Sequence, residues 1–136
     1  MVRVTAAVIE RGGQVLIAKR CQGDRLAGLW EFPGGKIEAG EDPLDCLARE
    51  LHEEFGITAA IGELLVSHVH HYPHIAIELL SYRATHLAGD FELRDHDEVR
   101  WVAPEEMGEY DFAPADLPTV AFLQAADAAL EKDQGE

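Results

Sequence analysis

Three glutamates recur at a spacing that brings their carboxylates together. Glu50, Glu53 and Glu54 stand at positions i, i+3 and i+4, and at about 100° per residue these positions share one side of an α-helix. Hard divalent cations take several oxygen ligands, and Mg²⁺ also bridges to phosphate oxygens. The same spacing occurs on ordinary solvated acidic faces. The stripe alone therefore predicts either a divalent-metal site or an exposed acidic face.

The residues that lead into this stripe favour the metal site. Gly34 and Gly35 provide backbone that a ligand can approach closely. Glu41 stands shortly before the helix, and Arg49 neighbours Glu50, so its guanidinium is able to hold a carboxylate through a bidentate pair. A glycine loop beside stacked carboxylates suits a divalent cation that carries a phosphate chain.

Residues 35–57 fit the Nudix box at every position, the box being G-x5-E-x7-R-E-U-x-E-E-x-G-U with U a bulky apolar residue. The fixed positions are Gly35, Glu41, Arg49, Glu50, Glu53, Glu54 and Gly56. No packing requirement would fix loop glycine, loop acid and helix acids together, so the chain resembles the Nudix hydrolase family. The resemblance implies an α/β Nudix fold, a mixed β-sheet sandwiched between α-helices.

The resemblance also implies a metal-dependent catalytic site. The residues that match the family's metal ligands are Glu50, Glu53, Glu54 and the carbonyl of Gly34. The implied cofactor is Mg²⁺, with Mn²⁺ as a second option. Arg49 and Glu41 match residues that orient the carboxylate cluster. Asp95, six residues before Trp101, falls where many relatives carry a metal-binding or general-base Glu, and it completes the catalytic candidates.

Two segments outside the box indicate a branch of the family. Residues 29–36, LWEFPGGK, and residues 112–118, FAPADLP, look like the MutT-type nucleoside triphosphate pyrophosphohydrolases. The substrate-binding candidates that follow are Arg20, Glu31, Phe32, Lys36 and Asp116. Four of these candidates could instead have a purely structural role. Arg20 would then form a surface ion pair, Phe32 would pack in the core, Lys36 would be solvated and Asp116 would be the N-cap of the last helix.

Asp116 bears on the choice of base. In the resembling 8-oxo-dGTP enzyme the matching residue is Asn, which donates and accepts, whereas an ionised Asp only accepts. An acceptor matches the N4 amino group of cytosine or the N1/N2 edge of guanine. The Pro-Ala-Asp form is more similar to that of the CTP pyrophosphohydrolases, so a modified or unmodified cytosine nucleotide stands beside an oxidised guanine nucleotide as the expected substrate.

The expected reaction is Mg²⁺-dependent hydrolysis of a nucleoside or deoxynucleoside triphosphate to the monophosphate and pyrophosphate. One alternative is a Nudix hydrolase of ADP-ribose or another nucleoside-diphosphate compound, with which Pro73 is compatible. Another is a regulatory module that binds a nucleotide without turnover. The complete set of box carboxylates argues against this third reading, because a binder has no need of both Glu53 and Glu54.

Charge and composition restrict the partners. The 136 residues include 11 Lys and Arg against 26 Asp and Glu, a net charge of −15, which disfavours polymeric nucleic acid and anionic membranes as partners. The start lacks a signal-like stretch, the two cysteines form no CxxC pair, and the apolar runs fall far short of the ~20 residues that a bilayer requires. We expect a cytoplasmic protein, monomer or homodimer, that acts on a small-molecule nucleotide.

Periodicity and turn residues predict one domain over residues 1–131 and a frayed tail over 132–136. Strands are predicted at 2–9, 14–18, 29–32, 61–72, 75–85 and 99–102, helices at 43–55 and 117–130, a helical turn at 104–107, and a loop containing Gly23, Asp24 and Gly28. The first helix is expected to begin at an Asp42 cap and end at Gly56. The predicted core faces comprise Leu44, Leu47, Ala48, Leu51 and Phe55, and then Val120, Leu123, Ala126 and Leu130.

Overall fold

A computed structural model of the chain describes residues 1–21, 23 and 26–134. The strands are β1 (Val2–Arg11), β2 (Gln14–Arg20), β3 (Trp30–Glu31), β4 (Gly34–Lys36), β5 (Thr58–Tyr72), β6 (Ile75–Ala88) and β7 (His96–Val102). The helices are α1 (Pro43–Phe55) and α2 (Leu117–Gln134), with short 3-10 helices at Pro104–Glu109 and Pro114–Asp116. Asp24 of the predicted loop and residues 135–136 of the predicted tail lie outside the described residues.

The strands form the expected mixed sheet. β1 runs parallel to β6, and β6 pairs antiparallel with β5. On the other side, β2 pairs antiparallel with both β3 and β7. β1 and β2 form a hairpin whose loop residues Gly12 and Gly13 have φ of 56° and 81°, the left-handed backbone of a two-residue turn for which glycine is favoured.

β1 and β2 separate soon after their hairpin. In the part of the chain that the structure describes, they pair only at Glu10↔Val15 and Arg11↔Gln14. The first half of β1 pairs instead with β4, for example Thr5 with Gly35. The chain from β3 to β4 thus crosses from β2 to β1, and a cleft opens where these two strands diverge.

Alternate residues of β1 belong to two separate cores, one on each face of the sheet. Ala6 and Val8 are buried in a core that includes Val120 and Leu123 of α2. Ala7 and Ile9 are buried in another that includes Leu47, Leu51 and Phe55 of α1. Because successive strand residues point to opposite faces, this pattern confirms that the sheet is sandwiched between helices.

The predicted limits of α1 are confirmed. The Asp42 carboxylate accepts a hydrogen bond of 2.8 Å from the Leu44 amide, Pro43 is the first helical residue, and Gly56 ends the helix with φ of 70°. One part of the predicted core face is wrong. Leu44 is 41% exposed, and Cys46 is buried instead, since Cys46 faces Thr5 and the main chain of β4.

Other parts of the structure differ from what the sequence led us to expect. β4 was not predicted, because glycine has low strand propensity and its pairing depends on β1. β7 begins at His96 rather than at residue 99. In α2, which runs to Gln134, the predicted core residues Ala126 and Leu130 are exposed, Leu130 by 57%. None of the described helices is long and apolar enough to cross a membrane.

Candidate active site

The cleft between the diverging strands has a volume of about 670 Å³. Its walls come from β1, the β3–β4 segment, the C-terminal end of α1, the tip of the β5–β6 hairpin and the chain around the second 3-10 helix. The predicted site residues that line it are Arg20, Glu31, Phe32, Gly34, Lys36, Glu54, Asp95 and Asp116. One cavity therefore brings together all the substrate-binding candidates and one helix carboxylate.

Arg49 joins the remaining box carboxylates beside the cleft. Its guanidinium donates two hydrogen bonds to Glu41, of 2.7 and 2.9 Å, in the bidentate arrangement expected from the sequence. It also donates to Glu50 and Glu53, each at 3.0 Å. Hydrogen bonding to Arg49 lowers the pKa of Glu41 to about 2. Arg49 thus offsets repulsion among the carboxylates and fixes Glu50 and Glu53 relative to each other.

The helix carboxylates differ in their surroundings. Burial raises the pKa of Glu50, against the opposing effect of Arg49, whereas the Glu53 side chain is 57% exposed. One carboxylate oxygen of Glu54, Oε2, is buried and has no hydrogen-bond partner among the described residues. The pKa of Glu54 is raised to about 9, mainly by burial and further by the charges of Glu31, Glu50 and Asp95.

This arrangement fits a divalent cation. Among the described side chains, no three His, Cys, Asp or Glu residues already stand as a ready-made metal site. However, the donors are carboxylate oxygens, which suit Mg²⁺. The partnerless oxygen of Glu54, and the raised pKa values of Glu50 and Glu54, are the features that a nearby positive charge would relieve.

The loop that carries Asp95 is fastened to the end of α1. Arg94 donates to the main-chain oxygens of His52 and Glu53, at 3.3 and 3.1 Å, and the Glu92 amide donates to the Phe55 carbonyl at 2.9 Å. These bonds satisfy helix-end carbonyls that have no partner within the helix. They hold Asp95 near Glu54, and the charge of Asp95 contributes to the raised pKa of Glu54.

At the other end of the cleft, Asp116 is only 6% exposed. It is the last residue of a 3-10 helix that runs directly into α2, so its alternative role as an N-cap is wrong. The pKa of Asp116 is raised well above its usual range, mainly by burial and further by the charge of Glu31. A hydrogen bond from the Phe32 amide lowers the pKa and offsets part of this effect. Burial beside a second carboxylate thus favours the protonated form of Asp116, whereas the sequence led us to expect an ionised, acceptor-only group.

Glu31 is held by two partners. Arg20 donates to Oε1 of Glu31, so the ion pair foreseen for Arg20 lies inside the cleft. His96 Nε2 lies 2.8 Å from Oε2. His96 was not predicted from the sequence, although it directly follows Asp95, because its contact with Glu31 depends on the pairing of distant strands. Tyr72 was not predicted either, and its hydroxyl accepts a 3.1 Å hydrogen bond from the Ala115 amide.

Phe32 has the simpler of its two predicted roles, that of a core residue. It is 3% exposed and its ring packs against Phe112 with the centroids 5.4 Å apart, which is core packing. It nevertheless lines the cleft, as does Lys36, which is exposed. The histidines of the β5–β6 region form no metal cluster with three ligands in the described part of the chain.

The sequence and the fold were compared with known proteins. A family model described as the NUDIX domain matches residues 4–121. The chain belongs to the Nudix family. It is 40% identical over 133 residues to the CTP pyrophosphohydrolase of Escherichia coli K12, covering 98% of each chain. It is 39% identical over 123 residues to the putative 8-oxo-dGTP diphosphatase 2 of Mycobacterium tuberculosis, covering 88% of this chain and 86% of that protein.

A solved structure supports the same assignment. The solution structure of the E. coli ORF135 protein superimposes with a TM-score of 0.85 at 40% identity, covering 95% of this chain and 92% of that one. The predicted Nudix fold is therefore confirmed. Together with the sequence relatives, this likeness makes the chain a Nudix hydrolase of the MutT type.

Proposed function

We propose that this Nudix hydrolase converts a nucleoside or deoxynucleoside triphosphate to the monophosphate and pyrophosphate, with Mg²⁺ as its cofactor. The observation that carries the proposal is the shared cleft, since Glu54 of α1, with its buried and unpartnered Oε2 atom, and the buried Asp116 line one cavity. A nucleotide has the matching parts, since its phosphates need a cation and its base needs hydrogen bonds in a largely apolar pocket.

The phosphate end of the cleft is assigned to the box residues. Glu50, Glu53 and Glu54 would hold the cation together with the carbonyl of Gly34. When bound, Mg²⁺ neutralises phosphate charge and acidifies the attacking water. Arg49 and Glu41 keep the carboxylates in place through the bidentate pair. Lys36 lines the cleft with an exposed side chain, from which it can meet a phosphate as a flexible point charge.

The base end is assigned to Asp116 and Glu31. A protonated Asp116 both donates and accepts, and a Glu31 carboxylate only accepts. Cytosine offers an N4 amino donor beside a ring acceptor, and this pair suits one neutral and one charged carboxyl group. The 40% identity to a protein named CTP pyrophosphohydrolase supports a cytosine nucleotide as the first candidate.

Oxidised guanine nucleotides are the second candidate. A protonated Asp116 carries the same combination of donor and acceptor as the Asn of the resembling 8-oxo-dGTP enzymes. In that protonated form, the difference between Asp and Asn does not separate the two substrates. The 39% identity to a putative 8-oxo-dGTP diphosphatase supports keeping this option.

A nucleotide panel with product analysis tests the proposal. The purified protein is incubated in Mg²⁺, and in parallel with EDTA, with unmodified and 5-substituted cytosine triphosphates, 8-oxo-dGTP, the other common triphosphates and ADP-ribose. We expect Mg²⁺-dependent release of pyrophosphate, with the highest kcat/KM for a cytosine or oxidised guanine nucleotide. Turnover confined to ADP-ribose, or activity that EDTA leaves unchanged, would contradict the proposal.

A further inference from the structure

His96 stands where an irregularity in strand pairing places it against Arg20. β2 and β7 pair at Lys19↔Glu98 and then at Arg20↔His96, so Asp97 is an extra residue on β7. Such a bulge re-aims the side chains beside it. Regular antiparallel pairing would instead set Arg20 opposite Asp97. The bulge therefore exchanges an acid for an imidazole at this position.

The bulge leaves three side chains on the same face of the sheet. Arg20 follows Leu16 and Ala18, which face α1, at the strand period of two. Glu31 alternates with Trp30 and Phe32, which face α2, and so points toward α1 as well. The His96 ring stacks on Phe55 of α1 with centroids 5.1 Å apart and an interplanar angle of 11°.

Glu31 is held at both of its carboxylate oxygens as a result. Arg20 donates a hydrogen bond to Oε1, and His96 Nε2 lies at hydrogen-bond distance from Oε2. The His96 side chain is 4% exposed and that of Glu31 is 15% exposed, so neither can swing away without disrupting its surroundings. Glu31 thereby stays close enough to Asp116 and Glu54 for its charge to raise the pKa of both groups.

We propose that His96 is a positioning residue for base selection, which holds Glu31 at the base end of the cleft through the Nε2 hydrogen bond. This inference rests on the proposed function, because it assigns Glu31 to the base edge. His96 acts through Glu31, and the Phe55 stack fixes the plane of its ring. The preference between bases then depends on a residue of β7 that belongs to neither the box nor the two MutT-like segments.

Two substitutions separate this role from simple packing. His96→Gln keeps a donor near the position of Nε2, whereas His96→Leu keeps the bulk and loses the donor. We expect His96→Leu to change the kcat/KM ratio between the preferred base and a rejected base by about tenfold or more. His96→Gln should stay close to the wild-type ratio. A double variant, His96→Leu with Glu31→Gln, should show little change in ratio beyond Glu31→Gln alone, because the two residues act as one unit.

The ratios are measured for the compounds of the panel that the wild-type protein hydrolyses. Ile9→Val, which removes one buried methylene, is the control for a general loss of packing. An unchanged ratio in His96→Leu, or equal ratios in the Leu and Gln variants, would overturn the inference. If the Leu variant does not fold, His96→Asn, too short to reach Glu31, replaces it with the same expected result. A wild-type protein that hydrolyses only nucleoside-diphosphate compounds contradicts the proposed function separately.

Discussion

Gly35 leaves room for Glu50. A Cβ atom built on Gly35 would lie 2.3 Å from the Cδ atom of Glu50, so the carboxylate occupies the volume that a side chain would fill. The neighbouring Gly34 meets a different obstacle, since its Cβ would lie 1.9 Å from the carbonyl oxygen of Thr5. The first clash is with the end of a side chain, and the second is with the main chain of β1.

Alanine substitutions should separate these two clashes. Gly35→Ala is expected to fold, because Glu50 can rotate away, and to lose about 10- to 100-fold in kcat, since a displaced carboxylate weakens a metal site. Gly34→Ala should lower the free energy of unfolding by ~2 kcal/mol or more, because the main chain of β1 cannot yield without losing pairing. Thermal unfolding and steady-state kinetics measure both effects. A Gly35→Ala variant with wild-type kcat would contradict the placement of Glu50 at the metal.

The bond that is cleaved can be read from isotope labelling. The MutT-type resemblance predicts that water attacks the β-phosphorus, so the oxygen of the attacking water leaves in pyrophosphate. Hydrolysis in ¹⁸O-water, followed by mass spectrometry of both products, should find the label in pyrophosphate. Label in the nucleoside monophosphate would show attack at the α-phosphorus instead.

Asp116 should tolerate an amide but not an apolar group. Because burial raises the pKa of Asp116 and so favours its protonated form, Asp116→Asn, which preserves both a donor and an acceptor, should leave the order of substrates unchanged. Asp116→Leu removes both and should change the discrimination between bases by about 1 to 3 kcal/mol. The measurement is kcat/KM across the nucleotide panel. A reordered panel for Asp116→Asn would show that the wild-type carboxylate is ionised when substrate binds.

The same residue should make stability depend on pH. The pKa of Asp116 is raised in the folded protein, so above its ordinary range, about pH 4, the unfolded chain loses this proton while the folded chain keeps it. Its contribution to the free energy of unfolding therefore falls as pH rises toward the folded pKa. Asn has no such proton. Denaturant unfolding in EDTA measures the free energy of unfolding of Asp116→Asn and of the wild-type protein. The stability of the variant relative to wild type should increase from pH 4 to pH 8. A difference that stays constant over this pH range would contradict the raised pKa.

Local signals were enough to predict the limits of α1 and the spacing of its carboxylates, although not its whole buried face. The Asp42 cap, Pro43 and Gly56 act on their immediate neighbours, so the helix limits follow from the sequence directly. The spacing of the box carboxylates on that helix follows from helical geometry. The sheet between helices was implied by the resemblance to the Nudix family, and the alternating burial of β1 residues in two cores agrees with it.

The remaining features depend on contacts between distant residues. β4 exists because β1 lies beside two glycines that have little strand propensity of their own. The raised pKa of Asp116 depends on burial and on the charge of Glu31, neither of which is visible in the local sequence. His96 reaches Glu31 through a bulge that appears only when β2 and β7 are paired. Such non-local causes are not visible in a linear pattern.

The carboxylates of α1 provide the central test. Glu53→Gln and Glu54→Gln keep the shape of each side chain and remove the charge that would hold Mg²⁺. We compare initial rates across a Mg²⁺ titration, with Glu109→Gln, an exposed glutamate outside the cleft, as the matched control. Both site variants should fold and lose most of their activity, about 100-fold or more in kcat at saturating Mg²⁺, while the control keeps the wild-type rate. Turnover near the wild-type rate at saturating Mg²⁺ in both site variants would contradict the assignment of these carboxylates to catalysis.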